Sequence, residues 1–502
     1  MAIIENSKIF WKFHQRNDKK VAKAVREGNV DTITGTGWGF LDRFFYFLYS
    51  IRFLKIIDIR SAGYKRIMLP IVMLITTYSM KILLGISSMN KIPALLFREV
   101  ALLSMIGFTA TQIKNGSCKR GKGKSIPINK NTLARMLSRL TVAEVNEILD
   151  KTVQALAKKG FICGSKFILD ATDIETTEKC EGRGVKKVKK RRYLKQKKQW
   201  IEREELVYGY KLIVIWEKVS RVIVAAKVVK IADHESKHTL SLLAQAKRNI
   251  GKRKIRLLLI DNGFMDGKTL WIIKYKLGID FIVRIRTNMH LAGDARSFRG
   301  SPFASVGEDK GRGLKVLGID SLTTYDQYGN EGHLKNRYKK NFKPNLINCV
   351  MVTDWNGRSY GPGYEKVFAT SLDVSEPLKI IDNYSLRSLI ENTLFRELKQ
   401  GWNLSKIPMK KKSAIVSHTI LTLLMYSLNA CFQTKLGKAL TNRGIRRLRD
   451  EDMSTIHKLI VFSGEYFAIF DVEEYSIIVR APPKIFFRID PEEAKRRLGL
   501  KD

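Results

Sequence analysis

The sequence predicts a mixed α/β protein in which helical regions flank a strand-rich centre. Three β-rich runs, at about 166–178, 208–218 and 221–231, are followed by a helix, a strand, a helix and a strand. Before and after this stretch, apolar residues recur at steps of three and four, which is typical of helices that pack on one face.

The length of the chain predicts more than one domain. Its 502 residues, 44% of them hydrophobic, exceed what one core holds and can fill two or three. We expect an N-terminal helical region at 1–165, an α/β domain at 166–410 and a C-terminal region at 411–502. The C-terminal region is expected to mediate dimerisation.

The charge balance predicts a polyanionic partner. Lys and Arg number 91 against 48 acids, which leaves a net charge of +43 and a pI near 10. Self-repulsion on this scale is usually tolerated when something anionic is bound, so the expected partner is nucleic acid. A generally basic but solvated surface is the alternative.

Cysteine use and the apolar segments predict a cytoplasmic protein. Five scattered cysteines without a CxxC pair indicate reduced thiols, not a disulfide framework. The N-terminal residues lack the features of a signal peptide. The apolar run at 67–80 is too short to span a bilayer, so we expect a buried helix and no membrane partner.

The central region contains an ordered series of further elements. After the three β-rich runs we expect a helix at 233–251, a strand at 255–260, a helix at 266–277 and the strand "IDFIVRIR". Residues 290–375 are rich in glycine and are interpreted as an insertion with strands at "NLINCVMVTDW" and "EKVFATSLD".

A run of cations, "RGVKKVKKRRYLKQKK" at 183–198, lies between two strands of this sheet. We interpret it as a loop beside the sheet edge that contacts the phosphates of a nucleic acid. The residues expected to do so are Lys186, Lys187, Lys189 and Lys190. A solvated loop without a partner is the alternative.

Two strands of the series carry or end in an aspartate. Asp170 lies in "FILDATDIE", and Asp261 ends the apolar run "LLLIDNGF". A turn that merely closes the strand is one explanation for Asp261. A site in which the two carboxylates meet is the other. Asp173 competes with Asp170, but residues three apart in a strand face opposite ways, so only one can point at such a site.

A third acid lies on a late helix, "YSLRSLIENTLFRELKQGW". Tyr384, Arg387 and Glu391 are spaced by three and four and share one face. A surface ion pair between Arg387 and Glu391 would explain the spacing equally well when it is considered alone.

Together these motifs resemble the DDE transposases of bacterial and archaeal insertion sequences, in the branch with the Y-R-E-K signature. The resemblance covers roughly residues 165–410. Its second motif is usually Asp-Arg-Gly-Phe, from which Asn262 departs. It implies an RNase H-like fold with a β-rich insertion and a metal-binding triad of Asp170, Asp261 and Glu391. Tyr384 and Arg387 are then expected to contact DNA.

The implied chemistry is metal-dependent cleavage at transposon ends followed by strand transfer into target DNA. Such chemistry uses two hard cations about 4 Å apart, for which we expect Mg²⁺, with Mn²⁺ as a substitute. The N-terminal region is expected to bind DNA, and the protein to form a homodimer on paired ends. The alternatives are an RNase H-like nuclease that does not join strands and an inactive DNA-binding protein derived from a transposase.

The signature lysine does not fit a regular helix. It should follow Glu391 by seven residues, but that position is Leu398, and Lys399 comes one residue late. On a regular helix the seventh residue lies about 20° from the face of Glu391 and the eighth about 80°. Either a one-residue bulge or an early helix end is expected to bring Lys399 to DNA, while Phe395 and Leu398 pack in the core.

Overall fold

In the computed structural model of the protein, the chain divides into two compact units. One unit comprises residues 1–155 and 397–502, and the other residues 156–396. The structure describes residues 15–36, 39–59, 69–117, 127–194, 199–251, 254–329, 342–361, 363–438, 440, 444–455, 458–480 and 491–500.

The strands are numbered in chain order. They are β1 (Gln15–Arg16), β2 (Thr32–Thr36), β3 (Lys166–Thr176), β4 (Gly184–Leu194), β5 (Gln199–Glu217), β6 (Val222–Lys230), β7 (Leu257–Ile260), β8 (Asp280–Ile285), β9 (Ser305–Asp309), β10 (Leu314–Leu322), β11 (Ile347–Trp355), β12 (Arg358–Ser359), β13 (Lys366–Thr370), β14 (Lys458–Ser463) and β15 (Tyr466–Asp471).

The α-helices before the central sheet are Asp18–Arg26, Phe40–Ser50, Phe53–Ile56, Ile71–Leu83, Ile92–Leu95, Val100–Ile106, Ala110–Asn115, Lys130–Arg139 and Val142–Lys158. The α-helices in the region of the central sheet, residues 166–395, are Thr239–Ile250, Gly267–Trp271, His290–Ser297 and Pro377–Ser385. Those after it are Arg396–Gln400, Lys412–Lys435, Ile445–Thr455, Val472–Ile478 and Pro491–Leu498.

The unit at 156–396 is built on one large mixed sheet. Its core has the order β6-β5-β3-β7-β8, in which β5 runs antiparallel to β3 and β6 while β3, β7 and β8 run parallel. This is the RNase H-like mixed sheet that the sequence predicts. The parallel strand β7, "LLLI", is buried along its whole length, because parallel strands are covered on both faces.

The insertion continues this sheet and does not form a separate layer. Strand β13 pairs antiparallel with β8, and β11, β10 and β9 follow in order beyond it. The two expected strands are present as β11 and β13. The sequence interpretation missed β9 and β10, because their glycines and charged residues obscure the alternation of a strand.

The basic run is a strand and not a loop, so that interpretation was wrong. Residues Gly184–Leu194 form β4, which pairs antiparallel with residues 199–209 of β5. Lysines are common on edge strands, where they discourage pairing with other chains, and a charge count alone does not reveal the partner strand. Residues 195–198 of the run lie outside the described residues.

The other unit is mainly helical around one central helix. Among the described residues, Lys412–Lys435 is long and apolar enough to cross a membrane, but its apolar window is wholly buried inside the protein. His418 on this helix has its Nδ1 atom 2.9 Å from the hydroxyl of Tyr78, which lies on the buried helix Ile71–Leu83. The apolar run expected to be a buried helix is therefore one.

This unit also contains strands that the sequence does not predict. Residues 1–165 were expected to contribute helices, but β1 and β2 join β15 and β14 in a four-stranded sheet. Strand β1 is only two residues long and is defined by its pairing with β15, some 450 positions later. Local periodicity cannot indicate such a strand.

Gly209 offers a test of how β3, β4 and β5 are held together. It pairs with Glu175 on one side and Gly184 on the other, and a Cβ atom there would overlap the carbonyl oxygen of Ile174. We expect Gly209→Ala to lower the free energy of unfolding by about 1–3 kcal/mol in urea denaturation, because the strands must separate to admit a methyl group.

Gly293→Ala is the matched control. Gly293 lies in the helix His290–Ser297, and a Cβ there meets nothing within 4 Å. Alanine favours helix more than glycine does, so this variant should gain up to about 1 kcal/mol. Equal losses in the two variants would contradict the close approach at Gly209.

Candidate active site

The ends of two parallel strands bring Asp170 and Asp261 together. Strands β3 and β7 pair with Leu169 opposite Ile260, so each aspartate follows directly after a paired residue. The backbone N–H of Asp261 also donates to the carbonyl oxygen of Leu169, over 3.3 Å. The two carboxylates therefore leave neighbouring strands at the same level of the sheet.

The third acid lies in a broken helix. The sequence predicts one helix through 384–402, but the structure contains the helix Pro377–Ser385, a turn, a π-helical turn at Ile390–Phe395 and the helix Arg396–Gln400. Glu391 lies in the π-helical turn. Such turns carry one extra residue and occur often at functional sites.

One atom of Arg387 contacts all three acids. Its Nη1 lies 2.8 Å from Asp170 Oδ2, 3.1 Å from Asp261 Oδ1 and 3.1 Å from Glu391 Oε1. The ion pair between Arg387 and Glu391 thus exists, but it is part of a cluster that includes both aspartates. The three acids that the sequence assigns to one site converge on a single point.

The cluster has more negative than positive charge. Burial and, after it, the negative charge of Asp261 raise the pKa of Asp170 to about 7, although Arg387 opposes the rise. For Arg387 itself, burial lowers the pKa, but Tyr384 and the three carboxylates raise it by more. One guanidinium does not balance three carboxylates, so the site favours additional positive charge.

Tyr384 supports the end of β7. Its side chain is buried, and its hydroxyl donates to the carbonyl oxygen of Ile260, at 3.3 Å. Its ring lies 4.8 Å from that of Phe368 on β13, measured between centroids. The hydrogen bond holds the residue that directly precedes Asp261.

Two further residues that the sequence interpretation missed, Glu235 and Lys211, lie at the turn that follows Asp261. The side chain of Glu235 fills the space where a Cβ of residue 263 would lie. Glycine is therefore needed at position 263 because Glu235 packs against its backbone, and not because of an unusual backbone conformation. Glu235 Oε1 is in turn 2.9 Å from Lys211 Nζ. The glycine in "DNGF" was the available signal, since a glycine after a buried strand often marks a close contact.

Asp173 lies in a different environment from Asp170. Its carboxylate forms an ion pair with Lys186 of β4, while Asp170 Oδ1 accepts from the N–H of Ala171 and Oδ2 from Arg387. Asp173 is therefore engaged with the basic strand, and Asp170 with the acid cluster.

The basic strand β4 and the strand beside it carry opposite charges. Lys187 and Lys189 are exposed, and Lys186 is half-buried against Asp173. Lys189 lies opposite Glu204 in the register with β5. Lys190 belongs to β4, but its side chain lies outside the described residues.

Lys399 follows the π-helical turn. It is exposed, whereas Phe395 and Leu398 are buried as the sequence predicts. The π-helical turn supplies the one-residue bulge that was one of the two expected explanations for the late lysine. Because the chain divides between residues 396 and 397, Lys399 belongs to the other unit from the three acids.

The acid cluster fits a divalent cation by its chemistry. Its donors are all carboxylate oxygens, which hard cations such as Mg²⁺ prefer at about 2.0–2.1 Å. The oxygens lie 2.8–3.1 Å from Arg387 Nη1, and no three His, Cys, Asp or Glu side chains in the described part of the chain already form a metal-binding group. The acids would have to close by about 1 Å around a metal ion.

Two comparisons with known proteins found similar proteins. Residues 162–428 match the family model "Transposase DDE domain". The structure is also similar to the piggyBac transposase in its cryo-EM synaptic complex with hairpin DNA. That likeness has 10% identity, a TM-score of 0.39 and coverage of 92% of this chain and 85% of the other. No curated protein sequence matches this chain.

The family match carries the assignment. It covers more than half of the chain and includes both strands that bear aspartates, Arg387 and Glu391. The chain therefore belongs to the family of transposases with a DDE domain.

Proposed function

We propose that this protein is a cut-and-paste DNA transposase of a prokaryotic insertion sequence, in the branch with the Y-R-E-K signature. It cleaves at the transposon ends and transfers the freed 3′-hydroxyls into target DNA. The observation that carries the proposal is the convergence of Asp170, Asp261 and Glu391 on one cationic atom of Arg387.

The three carboxylates would hold two Mg²⁺ ions, or Mn²⁺ in their place. Bound there, the ions supply activation of the attacking hydroxyl and stabilisation of the leaving oxygen. The chain itself contributes the positions of the ligands. Pairing of β3 with β7 fixes the two aspartates, and the π-helical turn presents Glu391.

The signature residues have distinct tasks in this proposal. Tyr384 holds the end of β7 through the carbonyl oxygen of Ile260 and thereby positions Asp261. Arg387 supplies a planar cation that can contact a DNA phosphate in two places. Contacts of both residues with DNA remain predictions.

DNA binding is supported by charge. The net charge of +43 favours binding of a polyanion such as DNA. Strand β4 concentrates lysines on one strand. The helices Lys130–Arg139 and Val142–Lys158 suit a helical DNA-binding region, although a plain bundle has the same elements. We propose a cytoplasmic protein that forms a homodimer when it binds paired ends.

Each triad variant is expected to lose catalysis and keep DNA binding. Asp170→Asn, Asp261→Asn and Glu391→Gln should each reduce cleavage of transposon-end DNA in Mg²⁺ by more than about 100-fold, because losing even an outer partner of a metal ligand costs about 10- to 100-fold. Binding to the same DNA should stay near normal, as measured by gel shift.

Asp173→Asn is the matched control. It removes one negative charge from the same strand, three residues from Asp170, and should retain most of the cleavage activity. A triad variant with near-normal cleavage would exclude that residue from the site. Cleavage without any joined product in the wild-type protein would instead indicate a nuclease that does not join strands.

The basic strand is expected to contribute to the salt dependence of DNA binding. Replacing Lys186, Lys187, Lys189 and Lys190 together by Gln should weaken binding and reduce the slope of log K against log salt. Each lost phosphate contact is worth about one unit of slope. Because Lys186 already pairs with Asp173, its share should be the smallest of the three whose side chains are described.

A variant with the same change of charge provides the comparison. It replaces four exposed lysines elsewhere in the unit, Lys268, Lys310, Lys315 and Lys379. If both variants lose the same slope, the effect comes from net charge alone. If the first loses none, β4 is an ordinary solvated strand.

Lys399 is expected to act in DNA processing as the fourth signature residue. Lys399→Ala should impair end cleavage and strand transfer more than Arg396→Ala does. The extra residue of the π-helical turn gives position 399 the register of the seventh residue after Glu391, which on a regular helix lies about 20° from the face of Glu391. Both lysine and arginine are exposed, so the two substitutions are matched in burial and charge. Full activity in Lys399→Ala would leave the fourth signature position empty.

A further inference from the structure

The position of Arg387 in the acid cluster is unusual for a residue whose task is to contact DNA. Its side chain is 15% exposed, and the single atom Nη1 contacts an oxygen of each of the three acids. Of these partners, Asp170 is 6% exposed and Glu391 is 56% exposed. The cluster is therefore closed on the side of the sheet and open on the side of Glu391.

A metal ion bound by these three oxygens together would have to take the position that Nη1 of Arg387 occupies. The guanidinium nitrogen lies 2.8–3.1 Å from the three oxygens, through hydrogen bonds to Asp170 and Glu391 and an ion pair with Asp261, whereas Mg²⁺ needs oxygens at about 2.0–2.1 Å around the same point. Placing a divalent ion beside a guanidinium that is largely shielded from water would also add strong repulsion.

We propose that Arg387 competes with the divalent cation for the three carboxylates and must leave them when the metal binds. This inference rests on the proposed function, because it assumes that the three acids are the metal ligands. Arg387 thereby keeps the acids assembled in the metal-free protein, since three carboxylates without a counter-ion would repel one another.

The displaced side chain has a clear second partner. A guanidinium is always charged and its planar fork matches a phosphate group. The long side chain can move towards the open side at Glu391, where the DNA backbone would approach. Metal loading therefore releases a phosphate-binding group next to the metal site, and Arg387 couples metal binding to DNA binding.

Loss of Arg387 should strengthen metal binding. Arg387→Gln removes the competitor and also leaves the three acids without their counter-ion, and both changes favour the metal. An arginine beside a carboxylate typically shifts its proton affinity by about 1–3 pKa units, so the dissociation constant for a divalent ion should fall at least about tenfold.

The test measures Mn²⁺ binding to the full chain without DNA, by electron paramagnetic resonance of free Mn²⁺. Arg387→Gln should bind at least about tenfold more tightly than wild type. Arg396→Gln, which removes the same charge from an exposed position, should bind like wild type. Asp261→Asn should abolish binding, and it should also abolish the gain when combined with Arg387→Gln.

Each result has a separate meaning. Equal or weaker Mn²⁺ binding in Arg387→Gln, with Asp261→Asn still abolishing binding, would overturn the competition and leave the proposed function intact. Unchanged binding in Asp261→Asn would overturn the proposed metal site and the competition with it. If Arg387→Gln does not fold, Arg387→Met keeps an unbranched side chain without the charge and should also bind more tightly than wild type; equal or weaker binding would overturn the competition.

Discussion

The parallel pairing of β3 with β7 is the constraint on which the candidate site depends. These strands are distant in sequence, yet their register sets Leu169 opposite Ile260 and so fixes two carboxylates at one level. Contacts around the end of β7 also help to fix the position of Asp261. Tyr384 holds the carbonyl oxygen of Ile260, and Glu235 packs against the turn that follows Asp261. A shift of one residue in this register would separate the aspartates and turn one of them to the opposite face.

The charge of the candidate site differs in sign from the net charge of the chain. The chain carries a net charge of +43, which attracts a polyanion from a distance, whereas the site gathers three acids around one guanidinium. A DNA phosphate drawn to the surface would meet negative charge at the point of reaction. Local positive charge is therefore required there. The pKa of Asp170 is raised first by burial and then by the negative charge of Asp261.

Sequence could place the acids of the candidate site where its signals were local. Asp170 and Asp261 could be placed because a buried run and the acid at its end are adjacent in sequence, and parallel strands align such ends. The break between Ser385 and Ile390 could not be predicted, because the apolar spacing across it still resembles one helix. The spacing of residues on one helix face also could not show that Arg387 reaches both aspartates, because such spacing gives no information on neighbouring strands.

The same limit applies to the rest of the fold. Residues 184–194 carry the charge of a loop, and only their pairing with 199–209 makes them a strand. Strands β1 and β2 depend on partners near the other end of the chain. In each case the segment is a strand because it pairs with another strand, and the sequence of the segment does not reveal which strand that is.

The length of β5 has a consequence for how this sheet opens. Residues 210–217 of the strand have neighbours on both sides, β3 and β6, whereas residues 199–207 pair with β4 alone. A two-stranded ribbon has little stability of its own, so the backbone amides of residues 199–207 should exchange with solvent through small local openings. The amides of residues 210–217 should exchange only when the sheet unfolds. One continuous strand thus joins a slow-exchanging core to a fast-exchanging arm that carries the lysines of β4.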